Sequence, residues 1–596
     1  MKKQLCGGSF LIGPTNTDDV FVPEEFTREH KAIAKSVREF ISGEIQSLGD
    51  AIEHVDNALG RSLMRKAGEI GLLAADIPEA YDGMALDKIS SLIISDAFGQ
   101  GAGSFAITEL NHTGIGTLPL ALFGSDRQKE KYLPLLSSGE WVGAFGLTEP
   151  DAGSDALNAR TTAVLSSDGT HYLINGSKCF ITNAGFADLI FTFAKVDGEA
   201  FTAFIVEFAS EGISTDAEEV KMGMKGTSTR SVNFNNVKVP VENVLGEVGR
   251  GHVVALNALN MGRFKVGAVC VGNARGTLAE AVKYAKQRIQ FNQPICEFGL
   301  IKEKIGEMAV RLFAGESMMY RTAGMIEGMI EKAGMVPVSQ IGAVTAGALE
   351  EYLVECSIMK IYGSEIQGYI ADQAVQIFGG YGYIYENPAE LSYRNGRINR
   401  IWEGTNEINR TTIAGTLLKR AAKGRLKLDL EPGVLAQELS QLKPISVDTP
   451  DTLDAQKAML AVAKTITRHV MAVANRRLSG NLSRHQEIAG IISDMVIAVF
   501  ATESALLRAE KMTLAKDGRN AAMAIPMAKL LSVKLYDSLR SLVSRALPSL
   551  MEANDWLQQR SQLDTVLSLP SIDTIALTRD IADQCIKKNG VTIKIS

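Results

Sequence analysis

The spacing of apolar residues divides the chain into stretches with different periods. From about residue 25 to 140 the apolar positions recur every three to four residues, so that Ile33, Val37 and Phe40 share one helical face. Thr27 stands just before this face and is a predicted helix N-cap. This part of the chain is therefore predicted to be helical.

Between about residues 141 and 250 the pattern changes to one that is typical of strands. Segment 170–182 contains an Asn175-Gly176 pair, a favoured hairpin turn, and so predicts two strands that meet at this pair. Further strands are predicted at 189–196 and 201–208. These segments predict a compact antiparallel β unit enclosed by helices on both sides.

Helical periodicity returns after residue 251 and continues to about Gly424. A polar stretch with several prolines then follows, and we interpret it as a linker. A second helical block occupies 452–590 and contains no motif of known chemistry. Helices of this block are predicted to be amphipathic.

The patterns together predict a mainly α fold with a central β domain. The predicted units are an N-terminal extension (1–24), an N-terminal helical domain (25–140), a middle β domain (141–250), a helical bundle domain (251–424), a linker (425–451) and a C-terminal helical domain (452–596).

Composition narrows the possible functions of this 596-residue chain. It is 46% apolar with a net charge of −6, and its basic residues are spread out, which argues against nucleic acid as a partner. The six cysteines are far apart and form no C-x-x-C pair, so we predict neither disulfides nor a thiolate metal site. The seven histidines are isolated, and no metal centre is predicted.

Two features bear on location. The first residues lack an apolar run long enough for a signal peptide, so a cytoplasmic protein is expected. The most apolar later stretch, 488–507, is interrupted by Asp494 and Glu503, which a membrane span of ~20 residues does not carry cheaply. We interpret this stretch as a buried helix.

Two glycine-rich clusters are candidates for binding. Segment 145–155, FGLTEPDAGSD, is a turn-rich loop whose glycine and serine can offer donors to a bound anion, although a plain surface loop explains it equally well. Segment 376–383, QIFGGYGY, has adjacent glycines between helical segments, and a tight interhelix turn would explain it.

A third cluster, 400–409, carries a candidate catalytic carboxylate. Thr405 is a predicted helix N-cap, which places Glu403 in the approach to that helix. Burial beside Trp402 would raise the pKa of Glu403, while Arg400 and the helix dipole would lower it. Such opposed effects suit a general base near neutral pH. An ordinary acidic residue in a turn before a helix is the alternative.

Six motifs stand in an order and spacing that resemble the acyl-CoA dehydrogenase family over about residues 25–420. They are LTEPDAGSD at 147–155, KCFITN at 178–183, KMGMKG at 221–226, RIQF at 288–291, QIFGG at 376–380 and WEGTN at 402–406. The extra C-terminal block and the NMGR sequence at 260–263 resemble the very-long-chain branch of this family. The resemblance implies a helical N-terminal domain, a middle antiparallel β-barrel, a helical bundle and an additional C-terminal helical domain.

The resemblance also implies FAD as the cofactor and assigns residues to it. Residues that match family FAD contacts in the β unit are Phe145, Leu147, Thr148, Gly153, Ser154, Phe180, Ile181 and Thr182, and those beside the expected base are Thr405, Asn406 and Glu407. Those that match contacts to the FAD of a neighbouring subunit are Arg288, Gln376, Gly379 and Gly380, with Phe291 in the same RIQF motif. A homodimer is therefore implied. Positions that match acyl-CoA contacts are Ser154, Asn260, Arg263 and Gly404.

The implied activity is the FAD-dependent α,β-dehydrogenation of medium- to long-chain fatty acyl-CoA to trans-2-enoyl-CoA, the first step of β-oxidation. Glu403 is the implied base that removes the α proton. Its backbone N–H and a ribityl hydroxyl of FAD would bind the thioester carbonyl, and hydride would pass from the β carbon to flavin N5. The implied electron acceptor is electron-transferring flavoprotein.

The sequence departs from the family pattern at several positions, and other functions stay open. Phe180 stands where many relatives have Trp, and Ala106 and Leu110 stand where very-long-chain relatives tend to have Gly, so the longest substrates are not expected. The alternatives are an acyl-CoA oxidase, which forms peroxide in air, and a non-catalytic assembly factor without FAD. The C-terminal block either packs on the catalytic body or makes a peripheral membrane contact.

Overall fold

The computed structural model describes residues 5–445, 452–514, 521–569 and 571–590. The N-terminal domain is helical, as the sequence predicts. Its helices are α1 (Arg28–Phe40), α2 (Gly49–Glu53), α3 (Asn57–Glu69), α4 (Lys88–Gly101), α5 (Phe105–Thr113), α6 (Leu118–Phe123) and α7 (Asp126–Ser137). Thr27 caps α1 by accepting a hydrogen bond from the backbone N–H of His30 at 3.1 Å, which confirms the predicted N-cap.

The middle domain is built on one eight-stranded sheet. Its strands are β1 (Gly143–Gly146), β2 (Thr162–Leu165), β3 (His171–Thr182), β4 (Leu189–Val196), β5 (Ala200–Glu207), β6 (Ile213–Thr215), β7 (Thr229–Pro240) and β8 (Val244–Leu245). The strand order is β6-β7-β3-β2-β4-β5-β8, with β1 paired to β4. The pairs β1–β4 and β2–β4 are parallel, and the others are antiparallel.

The hairpin predicted at Asn175-Gly176 is wrong, because β3 runs straight through this pair. Both halves of β3 pair with β7, and the register shifts between Ile174 and Gly176 as in a β-bulge. A β-carbon on Gly176 would lie 2.5 Å from Oγ1 of Thr161. The glycine therefore lets a neighbouring segment approach closely, which is the other common use of glycine within a strand.

The helical bundle follows the sheet. Its elements are α8 (Gly251–Gln287), β9 (Ile289–Gln290), β10 (Gln293–Pro294), α9 (Gly299–Ala333), α10 (Val338–Glu351), α11 (Leu353–Phe378), α12 (Pro388–Arg397) and α13 (Asn406–Ala422). Helices α8 and α11 cross closely at two glycines: a β-carbon on Gly363 would lie 2.8 Å from the carbonyl oxygen of Gly267. Near this crossing, Arg263 of α8 and Lys360 of α11 hydrogen-bond to the turn that precedes α13.

The C-terminal block is helical and begins inside the segment predicted as a linker. Its helices are α14 (Pro432–Gln441), α15 (Asp454–Arg477), α16 (Gln486–Leu514), α17 (Ala521–Ala546), α18 (Ala553–Val566) and α19 (Thr574–Lys588). Leu435 and Leu439 of α14 are buried, because their four-residue spacing places both on one helical face. Residues 446–451 of the predicted linker lie outside the described residues.

Helix α16 is a core helix, as predicted from its charges. Within the described residues it is the one helix long and apolar enough to cross a membrane, and 83% of its most apolar window is buried inside the protein. The N-terminal extension packs against it, with the rings of Phe10 and Phe500 4.7 Å apart. Arg508 of α16 pairs with Glu24 of the extension and with Glu316 of α9. The extension, the bundle and the C-terminal block therefore share one buried seam.

Candidate active site

The turn before α13 holds the predicted catalytic carboxylate in an uncommon backbone conformation. Glu403 and Gly404 both have positive φ, of 54° and 80°. Thr405 then caps α13 by accepting a hydrogen bond from the backbone N–H of Ile408 at 3.2 Å, as predicted. A positive φ is unusual for glutamate, and such outliers cluster at functional sites.

One oxygen of the Glu403 carboxylate is enclosed by protein, while the residue as a whole is half-buried. Its Oε2 atom is buried, and no described residue hydrogen-bonds to it. A β-carbon on Gly262 of α8 would lie 2.2 Å from this oxygen, so the helix backbone comes right up to the carboxylate. Burial raises the pKa of Glu403 to about 7, against the charges of Arg263 and Lys360, which lower it. A carboxylate with this pKa can accept a proton near neutral pH.

The positive charges that lower the pKa of Glu403 are not the one that the sequence suggested. Arg400, the predicted neighbour, lies with its guanidinium against Gly368. Arg263 of α8 instead donates from Nε to the carbonyl oxygen of Glu403 at 3.3 Å and from Nη1 to Oδ1 of Asn260 at 3.1 Å. Hydrogen bonds of Arg263 thus connect Asn260, another predicted acyl-CoA contact, with Glu403, the predicted base.

Lys360 of α11 fixes the other side of the turn. Its Nζ donates to the carbonyl oxygen of Gly404 at 2.7 Å and to Oδ1 of Asn406 at 2.8 Å. Asn409 donates from Nδ2 to the same Gly404 oxygen at 2.8 Å. Sequence reasoning missed Lys360, although a single lysine inside the apolar run SIMKIYG of a predicted helix signals a buried polar partner.

The residues that follow the turn have mixed exposure. The side-chain amide of Asn406 is buried and bonded to Lys360, Ser364 and Glu365, so it holds α13 against α11. Glu407 is exposed on the first turn of α13. Of the predicted cofactor contacts in this motif, Thr405 and Glu407 lie nearer the surface than Asn406.

The loop 147–155 is tied to β3 by buried bonds. The backbone N–H of Cys179 donates to the carbonyl oxygen of Thr148 at 2.9 Å. Lys178 and Glu149 form a buried ion pair with 2.6 Å between Nζ and Oε1. Of the predicted residues here, Phe145 and Leu147 are buried, Thr148 is half-buried, and Gly153 and Ser154 are exposed.

Phe180 presents an aromatic ring at the surface beside this loop. It has a φ of 59° and is 64% exposed, whereas its neighbour Ile181 is buried in the core of the sheet. Thr182 ends the strand and is half-buried. A large exposed ring held by a rigid strand suits contact with a planar ligand.

Helix α5 links this surface to the Glu403 turn. Asn183, which follows β3, donates from Nδ2 to the carbonyl oxygen of Thr108 at 3.1 Å. Leu110, two residues further along α5, belongs to the buried apolar cluster against which Trp402 packs. The end of β3 and the Glu403 turn therefore border the same helix, with the buried Ala106 one turn away.

The residues predicted to contact the FAD of a neighbouring subunit lie away from the Glu403 turn on this chain. Arg288, Gly379 and Gly380 line one pocket of about 420 Å³, in which Glu403 is not a lining residue. Gln376 is exposed, and Phe291 is 88% exposed with a φ of 50°. The structure thus brings most of this set together but not around Glu403.

Matches to known proteins follow the same division of the chain. The family models that match are those for the acyl-CoA dehydrogenase N-terminal domain at 27–140, the middle domain at 144–237 and C-terminal domains at 249–418 and 462–566.

Individual relatives cover the chain to different extents. The chain is 42% identical over 576 residues to a probable acyl-CoA dehydrogenase of Bacillus subtilis, covering 97% of this chain and 96% of that protein. It is 38% identical over 428 residues to the human mitochondrial very long-chain specific acyl-CoA dehydrogenase, covering 69% of this chain and 62% of that protein. A crystal structure of an acyl-CoA dehydrogenase complexed with FAD from Bacillus anthracis superposes with a TM-score of 0.96 at 41% identity, over 99% of this chain and 100% of the other.

Proposed function

The chain belongs to the acyl-CoA dehydrogenase family, and from that premise we propose that it oxidises medium- to long-chain fatty acyl-CoA to trans-2-enoyl-CoA with Glu403 as the base. The family and the fold predicted from the sequence are confirmed by the domain matches and the superposition. The observation that carries the proposed role of Glu403 is its carboxylate, which has one buried oxygen without a hydrogen-bond partner and a pKa that burial raises to about 7.

The cofactor is FAD, and the residues present fit it. The exposed ring of Phe180 offers a face to the isoalloxazine, and a β-carbon on Gly153 would meet no atom within 4 Å, so the loop has open space beside it. Thr148 and Ser154 would supply hydroxyl groups to the same ligand. When bound, FAD supplies the acceptor of the hydride that leaves the β carbon of the substrate.

Residues of the chain itself would remove the α proton of the substrate. Ionised Glu403 would take the α proton of the thioester, and Gly262 leaves room at Oε2 because it has no side chain. Within the described part of the chain, the backbone N–H of Glu403 donates to no other residue, so it is free to bind the thioester carbonyl and stabilise the developing negative charge. Arg263 would keep the carboxylate ionised and the turn in place.

Further parts of the proposal concern partners. The pocket lined by Arg288, Gly379 and Gly380 would receive the FAD of a second copy of the chain, which makes the active form at least a homodimer. Electron-transferring flavoprotein would accept the electrons. A cytoplasmic location and a peripheral membrane contact through the C-terminal block remain predictions, and flotation with liposomes tests the second.

The reductive half-reaction tests the proposed function. The purified protein is expected to be yellow and to lose its flavin absorbance when palmitoyl-CoA is added without oxygen. Glu403→Gln should keep the flavin and slow this bleaching by about 10³-fold, because a general base contributes roughly 10²- to 10⁴-fold. Glu487→Gln, an exposed carboxylate at the start of α16, is the matched control and should react at the wild-type rate.

Three results would contradict the proposal. A colourless protein without FAD would point to the non-catalytic alternative, and peroxide formed in step with turnover in air would point to an oxidase. Retained bleaching in Glu403→Gln would remove this residue from the role of base.

A further inference from the structure

The extra C-terminal block contacts the helix that follows the catalytic turn through a charged pair. Arg410 of α13 donates from Nε to Oδ1 of Asp494 of α16 at 2.7 Å. Ser493, the neighbour of Asp494, donates from Oγ to the carbonyl oxygen of Arg410 at 2.6 Å. Arg410 stands seven residues after Glu403, so these contacts hold the first turns of α13 from the side of the extra block.

Arg410 also contacts α11. Its guanidinium contacts both carboxylate oxygens of Glu365, with Nη1 2.8 Å from Oε1 and Nη2 3.1 Å from Oε2. Asn406 donates from Nδ2 to Oε1 of Glu365 at 3.1 Å. A two-pronged contact of this kind fixes direction as well as distance.

Lys360 completes the connection to the catalytic turn. It donates to Oδ1 of Asn406 and to the carbonyl oxygen of Gly404, the residue next to Glu403. The contacts therefore run without a gap from α16 to the turn. Along them the charges alternate, from Asp494 through Arg410 and Glu365 to Lys360 and Glu403, so removing one charge leaves its neighbours poorly compensated.

We propose that Asp494 and Lys360 are positioning residues for Glu403, and that the extra C-terminal block thereby supports the catalytic turn. This inference rests on the proposed function, because it assigns a role relative to Glu403 as the base. Asp494 would act through Arg410 and Glu365 and would touch neither substrate nor FAD.

The charged and titratable groups that face Lys360 come from α8 and from the turn and first residues of α13. Arg263 and Cys270 face it from α8, and Glu403 and Glu407 face it from the start of α13. The Lys360 charge lowers the pKa of Glu403. Replacing Lys360 by an uncharged side chain should therefore move the titration of Glu403 to higher pH, which a merely structural role would not do.

The test compares two carboxylates that each join the C-terminal block to the bundle. Asp494→Asn removes the contact to Arg410, and Glu307→Gln removes the ion pair between α9 and Lys534 of α17, with 2.6 Å between Oε1 and Nζ. We expect Asp494→Asn to slow anaerobic flavin reduction at saturating palmitoyl-CoA roughly 3- to 10-fold with little change in KM, since small misplacements of a reacting group are costly. Glu307→Gln should react at the wild-type rate.

Lys360→Met supplies the second readout. It should move the acidic limb of the pH–rate profile to higher pH. Asp494→Asn should also lower the rate by a smaller factor in the Lys360→Met variant than in the wild type, because both residues support the same Glu403 turn. Should Asp494→Asn lose flavin or melt earlier than Glu307→Gln, Arg410→Lys tests the same contact while keeping the positive charge.

The outcomes separate the two proposals. If wild type and Glu403→Gln behave as proposed but Asp494→Asn and Arg410→Lys match Glu307→Gln in rate, or the effects of Asp494→Asn and Lys360→Met are fully additive, the positioning role is overturned and the function stands. If Glu403→Gln keeps its turnover, the proposed base fails and the positioning role fails with it.

Discussion

Gly262 and Glu403 lie 141 residues apart in the sequence and meet in space: a β-carbon on Gly262 would stand 2.2 Å from Oε2 of the glutamate. No other residue type leaves that oxygen where it is. Because the far end of a glutamate side chain can move, a methyl group at 262 would displace the carboxylate and leave the backbone of α8 in place.

Gly262→Ala is therefore expected to lower activity much more than stability. Alanine favours the helix by up to about 1 kcal/mol over glycine, which offsets part of the cost of moving the carboxylate. We expect at least a tenfold slower flavin reduction by palmitoyl-CoA with an unfolding temperature within a few degrees of wild type. Gly415→Ala, on α13 where a β-carbon meets nothing within 4 Å, should leave the rate unchanged. If Gly262→Ala reacts as fast as this control, the Glu403 carboxylate does not lie against Gly262 during the reaction.

The pH dependence of the reaction follows from the pKa of Glu403, which burial raises to about 7. A base must be ionised to accept a proton, so kcat/KM for palmitoyl-CoA should fall about tenfold for each pH step of one below that value and level off above it. The measurement is the pH profile with an artificial electron acceptor. A profile that stays flat down to pH 5 would mean that another group takes the proton.

The same pKa predicts how Glu403 affects stability. The unfolded chain ionises this residue near pH 4.5, whereas the folded protein does so only near 7, so the folded state loses stability as the pH rises between these values. The loss amounts to about 3 kcal/mol above pH 7. Glu403→Gln should therefore melt several degrees above wild type at pH 8 and close to it at pH 4.5, in the absence of acyl-CoA. Equal melting temperatures at pH 8 would show that the carboxylate is not buried.

Local signals in the sequence predicted where the Glu403 turn lies, the family resemblance supplied most of the other predicted site residues, and the contacts around the turn depend on tertiary structure. Thr405 as a cap and Glu403 before it follow from helix-end rules, which depend on neighbours in the chain. The closeness of Gly262 and the bond from Lys360 to Gly404 depend on how α8 and α11 cross, which no local pattern encodes. The same limit explains the hairpin error at Gly176, where a glycine that serves a packing contact looks like a turn residue.

Leu110 is predicted to limit the acyl chain length. It is buried in the apolar cluster against which the half-buried Trp402 packs, and the family resemblance implies that its helix, α5, lines the acyl cavity. Leu110→Ala should shift the preferred substrate toward longer chains in a panel from C4 to C20. Its control is Leu63→Ala on α3, a buried leucine that belongs to another apolar cluster. Both changes should cost about 3 kcal/mol of stability, and only the first should change chain preference. Identical preferences would remove Leu110 from this role.

Lys178 is predicted to hold the loop 147–155, which is proposed to contact FAD. Its ammonium is fully buried against Glu149, and replacing it by methionine would leave that carboxylate buried without a counter-charge. Removing one partner of a buried ion pair lowers stability by about 3–5 kcal/mol. Because Glu149 lies in the loop 147–155, this change should destabilise the loop that carries Thr148. Lys178→Met should therefore release FAD more readily, seen as a higher Kd for the flavin by fluorescence after gel filtration. The control is Lys131→Met, which breaks the exposed pair with Glu207, where both side chains remain in contact with water. If both variants retain FAD equally well, the ion pair does not support the cofactor loop.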